Sequence, residues 1–431
     1  MKKKEIKPVT EFKPFSIEVP GSKSYSNRAL VISALAEGKS VLKNLPLCDD
    51  TLVIIHALKN LGIKMRKNGN DLEIIGNGGR FQKPKKTLNV GNSGTAMRFL
   101  TALLTLTGFN SKITGIERMK KRPIQDLVDA LNQLGAKVKC KNGCPPVEIM
   151  EKKLLGGKTT ISGELSSQFI SALLMSAPYA KKQIEITVGK NLTSASYIDT
   201  TIDIMKSFGV NLGKNTKSIT YEKFIIRPNQ KYKARKYNIP MDASSLSYFL
   251  AIAAIHGTSV KVKNFEFSMQ GDFQFLEILK KMGCDYTYQG KTLSFFGTKK
   301  LLALGDINVS TMPDSAMTLS MVCACSKGKN HLTGLKSLRF KETDRLNALE
   351  TELQKIGCRV KKTDSSLEID GDKSHLHGAT IETYCDHRMA MCFAVLGTFI
   401  KGIKIKDPDC VAKTYPNFWK DLAKIGITFI S

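Results

Sequence analysis

Long apolar runs are missing from this chain of 431 residues. None approaches the ~20 residues that a membrane-spanning helix needs, so no membrane partner is expected. The start, Met1-Lys2-Lys3-Lys4-Glu5-Ile6-Lys7-Pro8, has charges but no apolar stretch behind them, so a secretory signal is not expected either. The ten cysteines form no disulfide framework. Cys323 and Cys325 lie in an apolar run, and Cys140 and Cys144 have no second pair at zinc-like spacing. The six histidines form no metal pair at helical spacing, and His387 is expected as a hydrogen-bonding partner. A cytoplasmic protein without metal or cofactor is the expectation.

Acidic residues are also scarce. There are 38 of them against 66 Lys and Arg, giving a net charge of +28. Such an excess points to nucleic acid or to small anionic substrates on a lysine-rich surface. The lysines are scattered and not gathered in an arm, and aromatics make up only 7%. Neither zinc-finger spacing nor an RNA-binding aromatic signature occurs, so no nucleic-acid partner is expected. Other phosphate and hydrolase signatures fail too. Leu155-Gly156-Gly157-Lys158-Thr159 echoes a phosphate loop, but Lys152 stands where its first glycine is required. No dinucleotide fingerprint and no Gly-x-Ser-x-Gly elbow is present.

What the chain does have is a repeat. An apolar residue, two variable residues, an apolar residue, a glycine and an apolar residue recur six times, as in Leu58 to Ile63. The glycines are Gly62, Gly135, Gly209, Gly283, Gly357 and Gly426, spaced by 73, 74, 74, 74 and 69 residues. Each reads as the left-handed residue that ends an amphipathic helix. Upstream of each lies a helix apolar nearly all round, over 26–36, 95–106, 167–177, 244–255, 316–325 and 389–399. A helix without a polar face belongs inside a core. A unit thus reads strand, buried helix, strand, amphipathic helix and two strands, three units to a domain. The polar stretch Asn229 to Lys236 reads as the linker between units three and four.

The starts of these helices collect uncommon residues. Lys23, Ser24 and Arg28 open the first; Asn92, Gly94 and Arg98 the second; Ser166, Ser167 and Gln168 the third. Asp314 precedes the fifth buried helix and Asp386-His387-Arg388 the sixth. Arg122, Lys341 to Arg345 and Lys413 stand at outer helices. Helix N-termini carry unpaired N–H groups and partial positive charge. Eight cations there suit two substrates that bear phosphate and carboxylate. Taken singly, Ser166, Asp242 and Asp344 read as helix caps, Lys341 to Arg345 as an exposed charged turn, and Lys23 with Arg28 as a basic face. Their convergence at one topological point is what favours a site.

The motifs Gly21 to Arg28, Gly91 to Arg98, Arg122-Pro123, Ser166 to Gln168, Pro313-Asp314, Lys341 to Leu346 and Asp386 to Ala390 resemble those of the 5-enolpyruvylshikimate-3-phosphate synthases. The resemblance runs in order from about Phe15 to the C-terminus. It implies an α/β (α+β) fold of two similar domains, each of three βαβαββ repeats with buried parallel helices, an inside-out α/β barrel. Residues 1–20 with 241–431 would form one domain and 21–240 the other, with the active site in the cleft between them. It implies transfer of enolpyruvyl from phosphoenolpyruvate to shikimate 3-phosphate by a monomer that glyphosate inhibits.

Carried over, Lys23, Ser24, Arg28, Ser166, Ser167, Gln168, Ser194, Tyr197, Asp314, Ser337 and Lys341 resemble the shikimate 3-phosphate set. Lys23, Asn92, Gly94, Arg122, Gln168, Arg345, Arg388 and Lys413 resemble the phosphoenolpyruvate set. Asp314, Glu342 and Lys23 would carry the chemistry. Three positions depart from the family pattern: Ser337 stands for a common Asn, Phe99 for a proline, Ala195 for a lysine. Two alternatives remain. The sister transferase acting on UDP-N-acetylglucosamine usually has a loop cysteine ahead of its Arg-Pro, and Ile113 to Arg122 has none. A non-catalytic anion- or nucleic-acid-binding repeat protein would have no use for Asp314 and Glu342.

Overall fold

The computed structural model describes residues 2–69, 71–190, 192–212 and 221–430. The chain forms two compact units, Gly21–Pro240 and Met1–Pro20 with Met241–Ser431, and passes from one to the other at Pro20–Gly21 and Pro240–Met241. Three helices run through the core of each. In the first unit they are Lys23–Leu35, Gly94–Leu104 and Ser167–Ser176. In the second they are Ala243–His256, Ala316–Cys325 and His387–Gly397. The three helices of a unit touch one another pairwise. Several of their hydroxyl side chains are satisfied by bonding back along the helix. Thr101 Oγ1 donates to the Met97 carbonyl at 2.7 Å, and Ser320 Oγ to that of Ala316 at 2.9 Å.

Three separate sheets surround each helix trio. In a typical one the strand before the buried helix pairs in parallel with the strand after it, and two antiparallel strands complete the sheet. Gly305–Asn308 and Gly328–Thr333 are such a parallel pair, followed by Leu367–Gly371 and Arg359–Lys362.

The first and fourth repeats do not follow that expectation. Phe15–Glu18 precedes the Lys23–Leu35 helix but pairs with Ser259–Lys263. Lys236–Asn238 precedes the Ala243–His256 helix but pairs with Val41 to Lys43. Each strand stays in the unit that the chain is leaving. The segment 229–236 is therefore not a free linker: Tyr232 is buried and its hydroxyl bonds the Met175 carbonyl at 3.0 Å. Its neighbours are exposed or half-buried irregular chain, and only Lys236 belongs to a strand. Likewise Lys3–Ile6 pairs with Lys404–Lys406 and Phe429–Ile430, filling the last strand position of the sixth repeat.

All six repeat glycines follow the last turn of an outer helix, with φ between +85° and +102°. In each copy the glycine N–H bonds the carbonyl three residues back at 2.9–3.0 Å. The next N–H reaches five residues back at 2.9–3.1 Å, as Ile63 does to Leu58. This is the paired capping that satisfies the orphan carbonyls of a helix end, and L-residues pay about 1–2 kcal/mol to adopt its left-handed conformation. Among the described residues no helix is long and apolar enough to cross a membrane.

Candidate active site

In the unit containing Met241–Ser431, four chain segments bring their charges to one place. Arg345, 1% exposed, is the centre. Its Nε and Nη2 hold the two oxygens of Asp386 at 2.7 and 3.1 Å. Nη1 meets Asp314 Oδ1 at 3.0 Å, and Nη2 also meets Glu342 Oε2 at 2.8 Å. Arg388 Nη2 takes the other Asp314 oxygen at 2.9 Å, and its Nη1 donates to the Tyr248 hydroxyl at 3.2 Å. Lys341 Nζ lies 3.9 Å from Asp314 Oδ1, and Lys413 Nζ lies 3.7 Å from Glu342 Oε1. One guanidinium thus joins three carboxylates, and further cations approach two of them, Arg388 and Lys341 at Asp314 and Lys413 at Glu342.

Burial opposes the charge on Arg345, but Asp386, Glu342 and Asp314 outweigh it and hold its pKa above the usual range. The reading of Lys341 to Arg345 as an exposed turn is therefore wrong for Glu342 and Arg345, both buried. Asp386 and Asp344 do cap their helices, on the Arg388 and Asn347 amides. His387 is buried, and burial, then Arg388, pushes its pKa well below the usual value, so the ring is neutral. Neither ring nitrogen makes a hydrogen bond, contrary to its expected role. Asp386 Oδ1, 3.4 Å from His387 Nδ1, is already committed to Arg345 and the Arg388 amide.

The Gly21–Pro240 unit gathers a second set. Lys23 opens its helix 3.3 Å from Asp50 Oδ2. Arg28 is buried too, so the two are no basic surface face. Its Nε donates to Thr201 Oγ1 at 2.7 Å, Nη1 to the Ser24 carbonyl at 2.9 Å, and Nη2 to Ser171 Oγ and the Tyr197 carbonyl at 3.2 and 3.1 Å. That last contact joins Lys23–Leu35 to the segment of Ser194 and Tyr197. Ser194 has φ +57°, and its carbonyl accepts from the Tyr197 amide at 3.1 Å, starting the Ser196–Ser207 helix just after Ala195. The Phe99 ring lies 5.2 Å from the Arg28 guanidinium, within cation–π range, so this departure from the family pattern packs under a site cation.

Arg122 Nη1 bonds the Asn92 carbonyl at 3.0 Å, and Arg98 Nη2 the Pro123 carbonyl at 2.7 Å. Both guanidiniums crowd Gly94. A Cβ there would lie 2.5 Å from Arg122 Nη2 and 2.6 Å from Arg98 Nη1. Ser166 caps its helix by accepting from the Gln168 amide at 3.2 Å, with Ser167 buried and Gln168 half-buried behind it. Ser337, in the 3-10 turn Lys336–Phe340 of the other unit, is buried with its hydroxyl unpartnered.

Sequence reasoning passed over several of these neighbours. Asp50 stands in the first turn of the Asp49–Asn60 helix; Thr201 and Ser171 are interior positions of two different helices; Tyr248 lies in an apolar helix. Asp242 is no amide cap: its oxygens accept from Ser245 Oγ at 2.7 Å and Gln270 Nε2 at 3.0 Å.

A family model described as EPSP synthase (3-phosphoshikimate 1-carboxyvinyltransferase) matches residues 14–422. A 3-phosphoshikimate 1-carboxyvinyltransferase of Colwellia psychrerythraea is 42% identical over 95% of this chain and 96% of its own. A chloroplastic one of Nicotiana tabacum is 43% identical, covering 94% of this chain and 81% of its own. The solved EPSP synthase of Acinetobacter baumannii superposes with a TM-score of 0.82 at 26% identity, covering all of both chains. The chain belongs to the EPSP synthase family.

Proposed function

We propose that the chain transfers the enolpyruvyl group of phosphoenolpyruvate to the 5-hydroxyl of shikimate 3-phosphate and releases inorganic phosphate, on the route to chorismate and the aromatic amino acids. The observation that carries this is Arg345 joining Asp314 to Glu342, the two groups an addition–elimination needs. Asp314 takes the proton of the attacking hydroxyl as its oxygen bonds to the substituted enol carbon. Glu342 delivers a proton to the methylene, making it a methyl group. Glu342 then takes a proton back from that methyl as the carbon–phosphate oxygen bond breaks. Lys23 assists between the two substrates.

Arg28 with Ser24, Ser166, Ser167, Gln168, Ser194, Tyr197, Ser337 and Lys341 holds shikimate 3-phosphate. Asn92, Gly94, Arg122, Gln168, Arg345, Arg388 and Lys413 hold phosphoenolpyruvate. Fixing both anions in reacting geometry lowers the entropic barrier. Lys23 lies in one unit and the acid–base pair in the other. The protein acts as a cytoplasmic monomer, and glyphosate competes for the phosphoenolpyruvate cations.

Phosphate release from phosphoenolpyruvate tests this. Release should require shikimate 3-phosphate and should not occur with UDP-N-acetylglucosamine. Release with the nucleotide sugar alone, or with neither, would reject the assignment.

A further inference from the structure

Behind Asp314 lies a second carboxylate that the reaction above does not use. Asp272 sits in the short 3-10 turn Gly271–Phe273 and is 2% exposed. Its Oδ1 accepts a hydrogen bond from the hydroxyl of Ser315, the buried residue next to Asp314. Its Oδ2 is buried with no hydrogen-bond partner. Leaving a carboxylate oxygen in that state is costly, and packing alone gives no reason for an acid here. Asp314 and Asp242 repel the charge of Asp272, and Arg388 attracts it. Asp242 is already engaged by Ser245 and Gln270.

Asp314 itself meets Arg345, Arg388 and Lys341. Three cations favour the carboxylate anion and so oppose its taking a proton from a hydroxyl. A negative charge close by does the reverse, and the coupling between two carboxylates acts equally on both.

We propose that Asp272 is a positioning residue for the transfer: through Ser315 it fixes the segment that carries Asp314, and its negative charge strengthens Asp314 as the base. The inference rests on Asp314 being that base. Burial first, then repulsion by Asp314, raises the Asp272 carboxyl to about 6. Above that pH Asp272 is ionised and assists. Below it the group is neutral and the assistance is gone, so turnover should fall as pH drops through about 6.

The test is the pH dependence of kcat and KM, from about pH 5 to about pH 9, for the full-length wild type and Asp272→Asn. The variant should lose about tenfold in kcat at neutral pH, keep both KM values within about twofold, and lack the acid limb near pH 6. A wild-type kcat and limb overturn the proposal. So does a lowered kcat with the limb in place, which would mark a packing defect. Ser315→Ala guards against misfolding of the first variant. It removes a bond that favours the Asp272 anion, so the limb should move to higher pH, and an unmoved limb counts against the link. A wild-type profile without a limb near pH 6 overturns the proposal without any variant. A wild type inactive with shikimate 3-phosphate and phosphoenolpyruvate would reject the assigned reaction itself, and the role of Asp272 with it.

Discussion

Arg28, in the second turn of the Lys23–Leu35 helix, and Arg345, at the start of the Arg345–Lys355 helix, are both buried guanidiniums, yet they keep opposite company. All four hydrogen bonds of Arg28 go to hydroxyl or carbonyl oxygens. Burial lowers its pKa to about 10, and its positive charge is not matched by a carboxylate among those partners. All four hydrogen bonds of Arg345 go to carboxylates, which hold its pKa above the usual range. One unit therefore presents buried charge that an anion can match. The other matches the charge of Arg345 internally, with Asp386, Asp314 and Glu342. Two buried cations of the same kind are thus set in different surroundings by their partners alone, neutral oxygens for Arg28 and carboxylates for Arg345.

The largest effect should come from the acid–base pair. Glu342→Gln should lower kcat by about 10²–10⁴-fold with little change in KM. In the wild type run in D₂O, the vinyl group of the product should carry deuterium, because the transient methyl group takes one hydrogen from solvent. Mass spectrometry of the product checks this, and a vinyl group free of deuterium would reject the addition–elimination.

Next comes a paired stability comparison. Arg345→Met takes the shared cation from three buried carboxylates, leaving Asp386 without a side-chain cation among its hydrogen-bond donors, and should cost about 3–5 kcal/mol in denaturant unfolding. Arg28→Met strands only neutral oxygens and should cost far less. Its signature should be a KM for shikimate 3-phosphate raised about 10–100-fold, the worth of one or two charge-assisted bonds. Equal stability losses would erase the distinction between the two arginines.

Smaller again is Gly94→Ala. Its methyl displaces the ends of Arg122 and Arg98, so the KM for phosphoenolpyruvate and the inhibition constant for glyphosate should both rise, by about tenfold. Unchanged glyphosate inhibition would separate Gly94 from the anion site. Smallest is Gly426→Ala. Nothing lies within 4 Å of the added methyl, so only the φ of +95° resists it. A loss of about 1–2 kcal/mol with unchanged turnover is expected.

What the sequence disclosed follows from how each feature is encoded. The six helix-ending glycines were legible because only glycine tolerates that conformation cheaply, so the residue type itself reports the geometry. The fully apolar helices were legible because no polar face means burial. Asp272 was not, because its place depends on Ser315, 43 residues away, which no local pattern reports. Thr201 and Ser171 were hidden likewise: in a helix such residues usually bond their own backbone, as Thr201 also does to the Tyr197 carbonyl. The segment around Tyr232 misled because its composition is that of a linker, while the single buried ring that ties it down leaves no local pattern. His387 misled because its neighbour's oxygens were already taken.

The central claim is that Asp314 serves proton transfer and is not needed to hold substrate. Calorimetric binding of shikimate 3-phosphate to Asp314→Ala, with turnover measured on the same preparation, tests it most directly. Binding within about threefold of wild type with kcat reduced at least about 100-fold is the expected result. Near-normal turnover would contradict the account.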